Sequence, residues 1–139
     1  MPKTGLVKGE LKTKRDYESL VYDLYKKAKC VVEKERYVCG FYGGKRQAIP
    51  HDLFNKSSDV VALAYDGIHL AAVTSGDPKN VQARKDFFDE HIQDFPGVIC
   101  EVWHFVESGD FVLERRVEMK WQDSEFDTEV LQRRPEASK

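Results

Sequence analysis

Residues 57–76 read SSDVVALAYDGIHLAAVTSG. Two apolar runs flank Asp66-Gly67, a dipeptide suited to the central positions of a type I′ turn, so the stretch predicts a hairpin of two buried strands. With that turn, Tyr65 faces Ile68, Leu63 faces Leu70, Val61 faces Ala72 and Asp59 faces Thr74, all on one side, because side chains alternate with period two. Asp59, Ala72 and Thr74 are thus expected together at one end of one face. The first run nevertheless opens on a charge, Asp59, and what that carboxylate holds is the functional question. After Ser57-Ser58 it also suits a turn residue that accepts backbone N–H bonds.

Upstream, Tyr17, Leu20, Val21, Leu24 and Ala28 recur at helical spacing, which predicts a helix from about Asp16 to Ala28 with one apolar face. Glu18 sits about 100° around from Tyr17, at the border of that stripe. It suits a first-turn acid favoured by the helix dipole as well as a ligand. RYVCGFYGG reads as a strand ended by its glycine pair, and KRQAIPHDLFNKS as an irregular loop holding Pro50, basic at Lys45 and Arg46 and acidic at Asp52. Downstream, Asp77 is a plausible cap and Pro78 fits a first helical turn. Val81, Phe88, Ile92 and Phe95 then mark a second apolar stripe before Pro96-Gly97. VICEVWHFVESGDFVLERRVEMKW reads as two strands around a Glu107-to-Asp110 turn, the second alternating as an exposed edge strand does. The organisation expected is a flexible basic arm over 1–15, an α/β domain over 16–121, and a polar tail over 122–139 holding one short element.

The 139 residues, 41% hydrophobic and 12% aromatic, suit one folded domain. No apolar run approaches the roughly 18 residues of a spanning helix, and the N-terminus lacks a signal-peptide core, so a cytoplasmic or nuclear location is expected. Cys30, Cys39 and Cys100 match neither a disulfide framework nor zinc spacing and read as reduced, buried thiols. The net charge of −2 hides an asymmetry, because residues 1–46 are basic and the second half acidic. One basic face suits a polyanion, and a solvated surface explains the same charges. No phosphate-binding glycine loop, zinc cluster or serine triad is present.

The element order helix, strand, strand, strand, helix, strand, strand, with DLF followed by DVVAL and the hairpin behind it, resembles the PD-(D/E)XK nuclease superfamily. This is the restriction-endonuclease-like fold, and the likeness is to its Holliday-junction-resolvase-like branch, over roughly residues 16–120. The resemblance implies a mixed central sheet flanked by helices, Mg²⁺ held by two carboxylates, a lysine that activates water, and a homodimer acting on branched or duplex DNA. Asp59 falls on the strand-Asp position and Glu18 on the helix-Glu position. The Glu-x-Lys half-motif falls on Ala72, Val73 and Thr74, so both of its chemical groups are missing here. Within the resemblance, Asp52 stands in as a third metal ligand, and Lys79 or Lys85 replaces the catalytic lysine beside Thr74. Lys45, Arg46 and Arg84 suit phosphate contacts. Without those replacements the fold implies binding and no chemistry. Residues 83–117 also resemble the helix-then-hairpin half of NTF2-like proteins, whose curled sheet encloses a small-molecule pocket with an Asp or a His such as His104. A protein–protein adaptor with an exposed apolar patch is the third expectation.

Overall fold

The computed structural model describes residues 14–34, 36–42, 45–51, 57–92, 95–106 and 109–132. Eleven elements follow in the order α1 (Lys14–Lys27), β1 (Val31–Lys34), β2 (Arg36–Tyr42), β3 (Lys45–His51), β4 (Val60–Ala64), β5 (Gly67–Ser75), α2 (Pro78–His91), β6 (Val98–Phe105), β7 (Phe111–Val117), β8 (Lys120–Ser124) and α3 (Thr128–Gln132). Six strands form one open mixed sheet in the order β1-β4-β5-β6-β7-β8, while β2 and β3 pair separately as a two-stranded ribbon. Within the sheet only β5 and β6 run parallel, joined across α2. The chain is therefore of α/β class with helices on both sides of the sheet.

Alternation along the strands divides the interior into two cores. Leu20, Val21, Leu24 and Tyr25 of α1, with Ala28 just beyond it, pack with Val60, Ala62, Ala71, Val73, Trp103 and Phe111 on one face. Val81 and Phe88 of α2 pack with Leu70, Ala72, Cys100 and Val102 on the other. The expected first stripe is thus the buried face of α1, with Tyr25 added, whereas of the second only Val81 and Phe88 are buried on α2, which ends at His91 before Ile92 and the half-exposed Phe95. The first core is aromatic, with Trp103 meeting Phe111 at 4.6 Å and Phe126 at 5.3 Å between ring centroids. Pairs of this kind contribute about 0.5–1.5 kcal/mol each beyond area burial. Asp77 caps α2, its Oδ1 accepting from the Lys79 N–H at 2.9 Å, and Pro78 begins the helix. Cys30 and Cys100 are both buried. Among the described residues no helix is long and apolar enough to cross a membrane.

Four expectations change. The strand that flanks β4 is Val31–Lys34, a run of four with one buried residue and hence little periodic signal, and Arg36–Tyr42 leaves the main sheet to form the ribbon. The expected loop is partly strand, since Lys45–His51 is β3 with Pro50 opposite Tyr37. A two-stranded ribbon tolerates proline because half of each strand's N–H groups point away from the partner. The β4–β5 turn is Tyr65-Asp66, closed by Ala64↔Gly67, so the pairing moves by two residues and Val60 meets Ala71. A two-residue shift preserves the faces and brings Asp59 level with Ala72 instead of Thr74. Gly67 belongs to β5 for a steric reason: its φ is +141°, and a Cβ there would lie 2.4 Å from the Gly97 carbonyl oxygen. Finally, β7 is covered by β8, and the segment after it holds α3 and buries Phe126 and Leu131, so this part of the polar tail belongs to the domain.

Candidate functional site

The parallel pair gives the sheet a direction. The C-terminal ends of β5 and β6 point to one rim, the start of α2 lies beside them, and clefts beyond such strand ends are where open α/β sheets take ligands. At this rim an open cavity of about 400 Å³ is lined by Val73, Thr74, Ser75, Asn80, Ala83 and Arg84. Asn80 Nδ2 donates to the Ser75 carbonyl at 3.2 Å, and His104 Nε2, level with Thr74, donates to the Gly76 carbonyl at 2.8 Å.

Arg84 and Lys85 follow from helix geometry. Successive residues are about 100° apart, so two neighbours straddling the buried stripe between Val81 and Phe88 lean to opposite sides of α2. Arg84 leans toward β4, where its Nη2 lies 2.9 Å from Asp59 Oδ2. Lys85 leans the other way, pairing with Glu114 of β7 and lying 5.9 Å from the Trp121 ring centroid of β8. Asp59 is buried, and its Oδ2 also accepts the Val73 N–H at 2.7 Å. The carboxylate thus ties the entry of β4 to β5 and to α2, which is what lets an apolar strand open on a charge.

Of the residues singled out from the sequence, Asp59, Thr74 and Arg84 come together at this rim. Lys79 is exposed in the first turn of α2, and Lys85 is engaged with β7 and β8. Glu18 is buried on α1, and α1 covers the opposite face of the sheet from Arg84. Asp52 lies outside the described residues, and for Lys45 and Arg46 only the backbone is described, at the turn end of the ribbon. Among the described residues no three His, Cys, Asp or Glu side chains converge as metal ligands do. With Arg84 on Asp59, and Ala72 and Thr74 at the half-motif positions, the described residues at this rim do not fit Mg²⁺.

A second polar cluster lies near the opposite end of the sheet, on the α1 face. Glu101, fully buried on β6, receives the Tyr25 hydroxyl, Arg115 Nε, His69 Nδ1 at 2.9 Å and Trp103 Nε1 at 3.3 Å. His69 Nε2 lies 2.8 Å from Asp66 Oδ1. With a carboxylate on each ring nitrogen, the imidazole donates from both and is a cation. Burial alone would lower its pKa, but the Glu101 charge and the hydrogen bonds to Asp66 and Glu101 outweigh burial and raise it from 6.5 to about 9. Burial likewise pushes Glu101 up, and His69 and Arg115 overcome this to hold it at about 2, below its ordinary 4.5. Two anions, Glu101 and Asp66, thus offset two cations, His69 and Arg115. The sequence carried one hint of this cluster: His69 and Glu101 are lone polar residues inside GIHLAAV and VICEVWHF, positions where burial demands partners. No family model, no curated protein and no solved structure matches the chain.

Proposed function

We propose that the protein binds nucleic-acid backbone on a restriction-endonuclease-like scaffold and does not cleave it. The observation that carries the reading is the Asp59–Arg84 pair, which places a guanidinium at a cavity beyond the parallel strand ends, where the resembled nucleases hold metal. Support for the scaffold comes from the position of β4 inside an open sheet, between β1 and β5, with α1 and α2 on opposite faces. An NTF2-like domain would instead curl its sheet around a pocket. Support for a nucleic-acid partner comes from the ribbon. The major groove of DNA admits a two-stranded β-ribbon, and Lys45 and Arg46 stand at the turn end of this one. Arg84 and Lys79 at the rim are suited to further phosphate contacts.

Gel retardation of duplex, branched and single-stranded DNA in EDTA at low salt tests the reading. Retardation is expected, with affinity falling steeply as salt rises. Lys45→Ala/Arg46→Ala is expected to weaken all DNAs alike and to lower the salt slope by about one for each phosphate that is no longer neutralised. No retardation of any DNA overturns the proposal. Mg²⁺-dependent cleavage that disappears in Asp59→Ala overturns the non-catalytic part and favours a nuclease whose site draws on residues such as Asp52.

A further inference from the structure

Helix α2 covers only part of its sheet face. Val81 and Phe88 seat it on Leu70 and Ala72 of β5 and on Cys100 and Val102 of β6, leaving β4 and β1 beside it largely uncovered. Leu63 lies two residues beyond Val61, which packs into the α2 core, and it pairs with Val31 of β1, so all three share this face. Val31 is 70% and Leu63 53% exposed. The open strip is two strands wide, about 10 Å, and runs about 13 Å from the level of Asp59 to that of Leu63. Glu33, also exposed, stands on its outer strand opposite Val61.

One flank of α2 walls this strip. At about 100° per residue, Arg84, His91, Asn80 and Phe87 fall about 50°, 70°, 90° and 110° from the buried line of Val81 and Phe88, all in one direction. The Arg84–Asp59 pair shows that this direction is toward β4, and the Lys85–Glu114 and Asp89–Arg116 pairs toward β7 occupy the other flank. Phe87 and His91 stack with 4.2 Å between ring centroids, Phe87 half-buried and His91 exposed. At the rim the strip runs into the cavity lined by Thr74, Ser75, Asn80 and Arg84. The result is a groove, cationic and hydroxyl-bearing at one end, aromatic and aliphatic along the rest.

Asp59 engages Arg84 through Nη2, one nitrogen of a guanidinium with five donors. Residues three apart on a helix stand about 5–6 Å apart at Cβ, close to the span from a nucleotide's phosphate to its base, so a phosphate on Arg84 sets a base against Phe87. Glu33 repels a phosphate chain from the outer strand toward this wall. Paired bases stack on one another within a duplex, whereas unpaired bases of any sequence stack on aromatic side chains. We infer, resting on the nucleic-acid reading above, that this groove binds an unpaired strand, with a phosphate on Arg84 and bases on Phe87 and His91. The resemblance implies branched or duplex DNA, whereas the groove calls for unpaired nucleotides. The ribbon starts at the same rim, two residues after Lys34, the partner of Val60. A duplex held there would feed an unpaired end into the groove.

Fluorescence anisotropy in EDTA tests this with three labelled probes: oligo(dT), a blunt duplex, and the same duplex carrying an oligo(dT) tail. The tail is expected to raise the affinity of the duplex about tenfold. Phe87→Leu, which keeps apolar volume and removes the ring, is expected to abolish that gain and to weaken oligo(dT) about tenfold with its melting transition retained, while Phe87→Tyr keeps both. Stacking releases no counterions, so the salt slope of oligo(dT) binding should be the same for Phe87→Leu and wild type. Equal affinity for the blunt and tailed duplexes overturns the inference and leaves the nucleic-acid reading standing, as does oligo(dT) binding that Phe87→Leu does not weaken. Weakening of all three probes alike also overturns it, because the ring would then serve the fold. Failure of every probe to bind overturns both.

Discussion

Glu101→Ala is expected to lower the stability of the protein by about 3–5 kcal/mol, the cost of removing one member of a buried ionic cluster and leaving the others without compensation. Arg115 would keep its charge, and His69 would lose the carboxylate that does most to hold its proton against burial, with Asp66 the one carboxylate left to the cluster. Glu101→Gln keeps the shape and removes the charge, so its comparison with wild type isolates the electrostatic part. The His69 contribution is complete below its ordinary pKa of 6.5 and is lost as pH rises through about 9, because its folded pKa is raised. The Glu101 contribution is complete above its ordinary 4.5 and is lost as pH falls through about 2, because its folded pKa is lowered. The stability gap between wild type and Glu101→Gln should therefore be widest between these two ordinary values and close on the alkaline side. Urea denaturation at a series of pH values measures it. A gap that stays constant from acid to alkali would mean that His69 is not a cation in the folded protein.

For Asp59, substitution separates structure from chemistry. Asp59→Ala strands the buried Val73 N–H and releases Arg84, with an expected loss of about 2–3 kcal/mol, smaller than at Glu101 because Arg84 can turn to water. Asp59→Asn retains an acceptor for Val73 and is expected to cost about 1 kcal/mol. In the nucleic-acid reading it also removes a negative charge next to a phosphate-binding guanidinium, so DNA affinity in EDTA should hold or rise. Thermal melting and gel retardation on the same preparations check both statements. A well-folded Asp59→Asn protein that no longer retards DNA would assign the carboxylate a direct part in binding and undo the role given to Arg84.

Much of this architecture is legible in the chain. The stripe of α1, the first part of the α2 stripe at Val81 and Phe88, the Asp77-Pro78 helix start and the apolar runs of β4 and β5 are local signals, and each appears where its spacing places it. The turn between β4 and β5 is displaced by one residue from the Asp-Gly signal. Two demands beyond the turn signal override it, one local and one not: Asp66 is needed by His69 three residues on, and Gly67 must lie flat against Gly97. The four-residue strand β1 and the covering strand β8 escape a periodicity reading because one is short and the other is mostly solvated. The sites divide in the same way. Asp59 announces itself as a charge at the head of an apolar run, but its partner Arg84 lies 25 residues away on a helix. The cluster around Glu101 draws on α1, β5, β6 and β7, and its only members close in sequence are His69 with Asp66 and Glu101 with Trp103.

The lone parallel pairing, β5 on β6, divides the chain into two zippers. Apart from the ribbon inserted after β1, the ladders of the first half join near neighbours in sequence, as do those of the second, and the halves meet across a crossover whose loop-closure entropy is repaid only when both are nearly formed. A backbone cut after Ile92 severs none of the ladders. Two co-expressed polypeptides ending and beginning at that cut are expected to assemble into one folded complex. Failure to co-purify would show that the crossover must stay covalent for the halves to find each other.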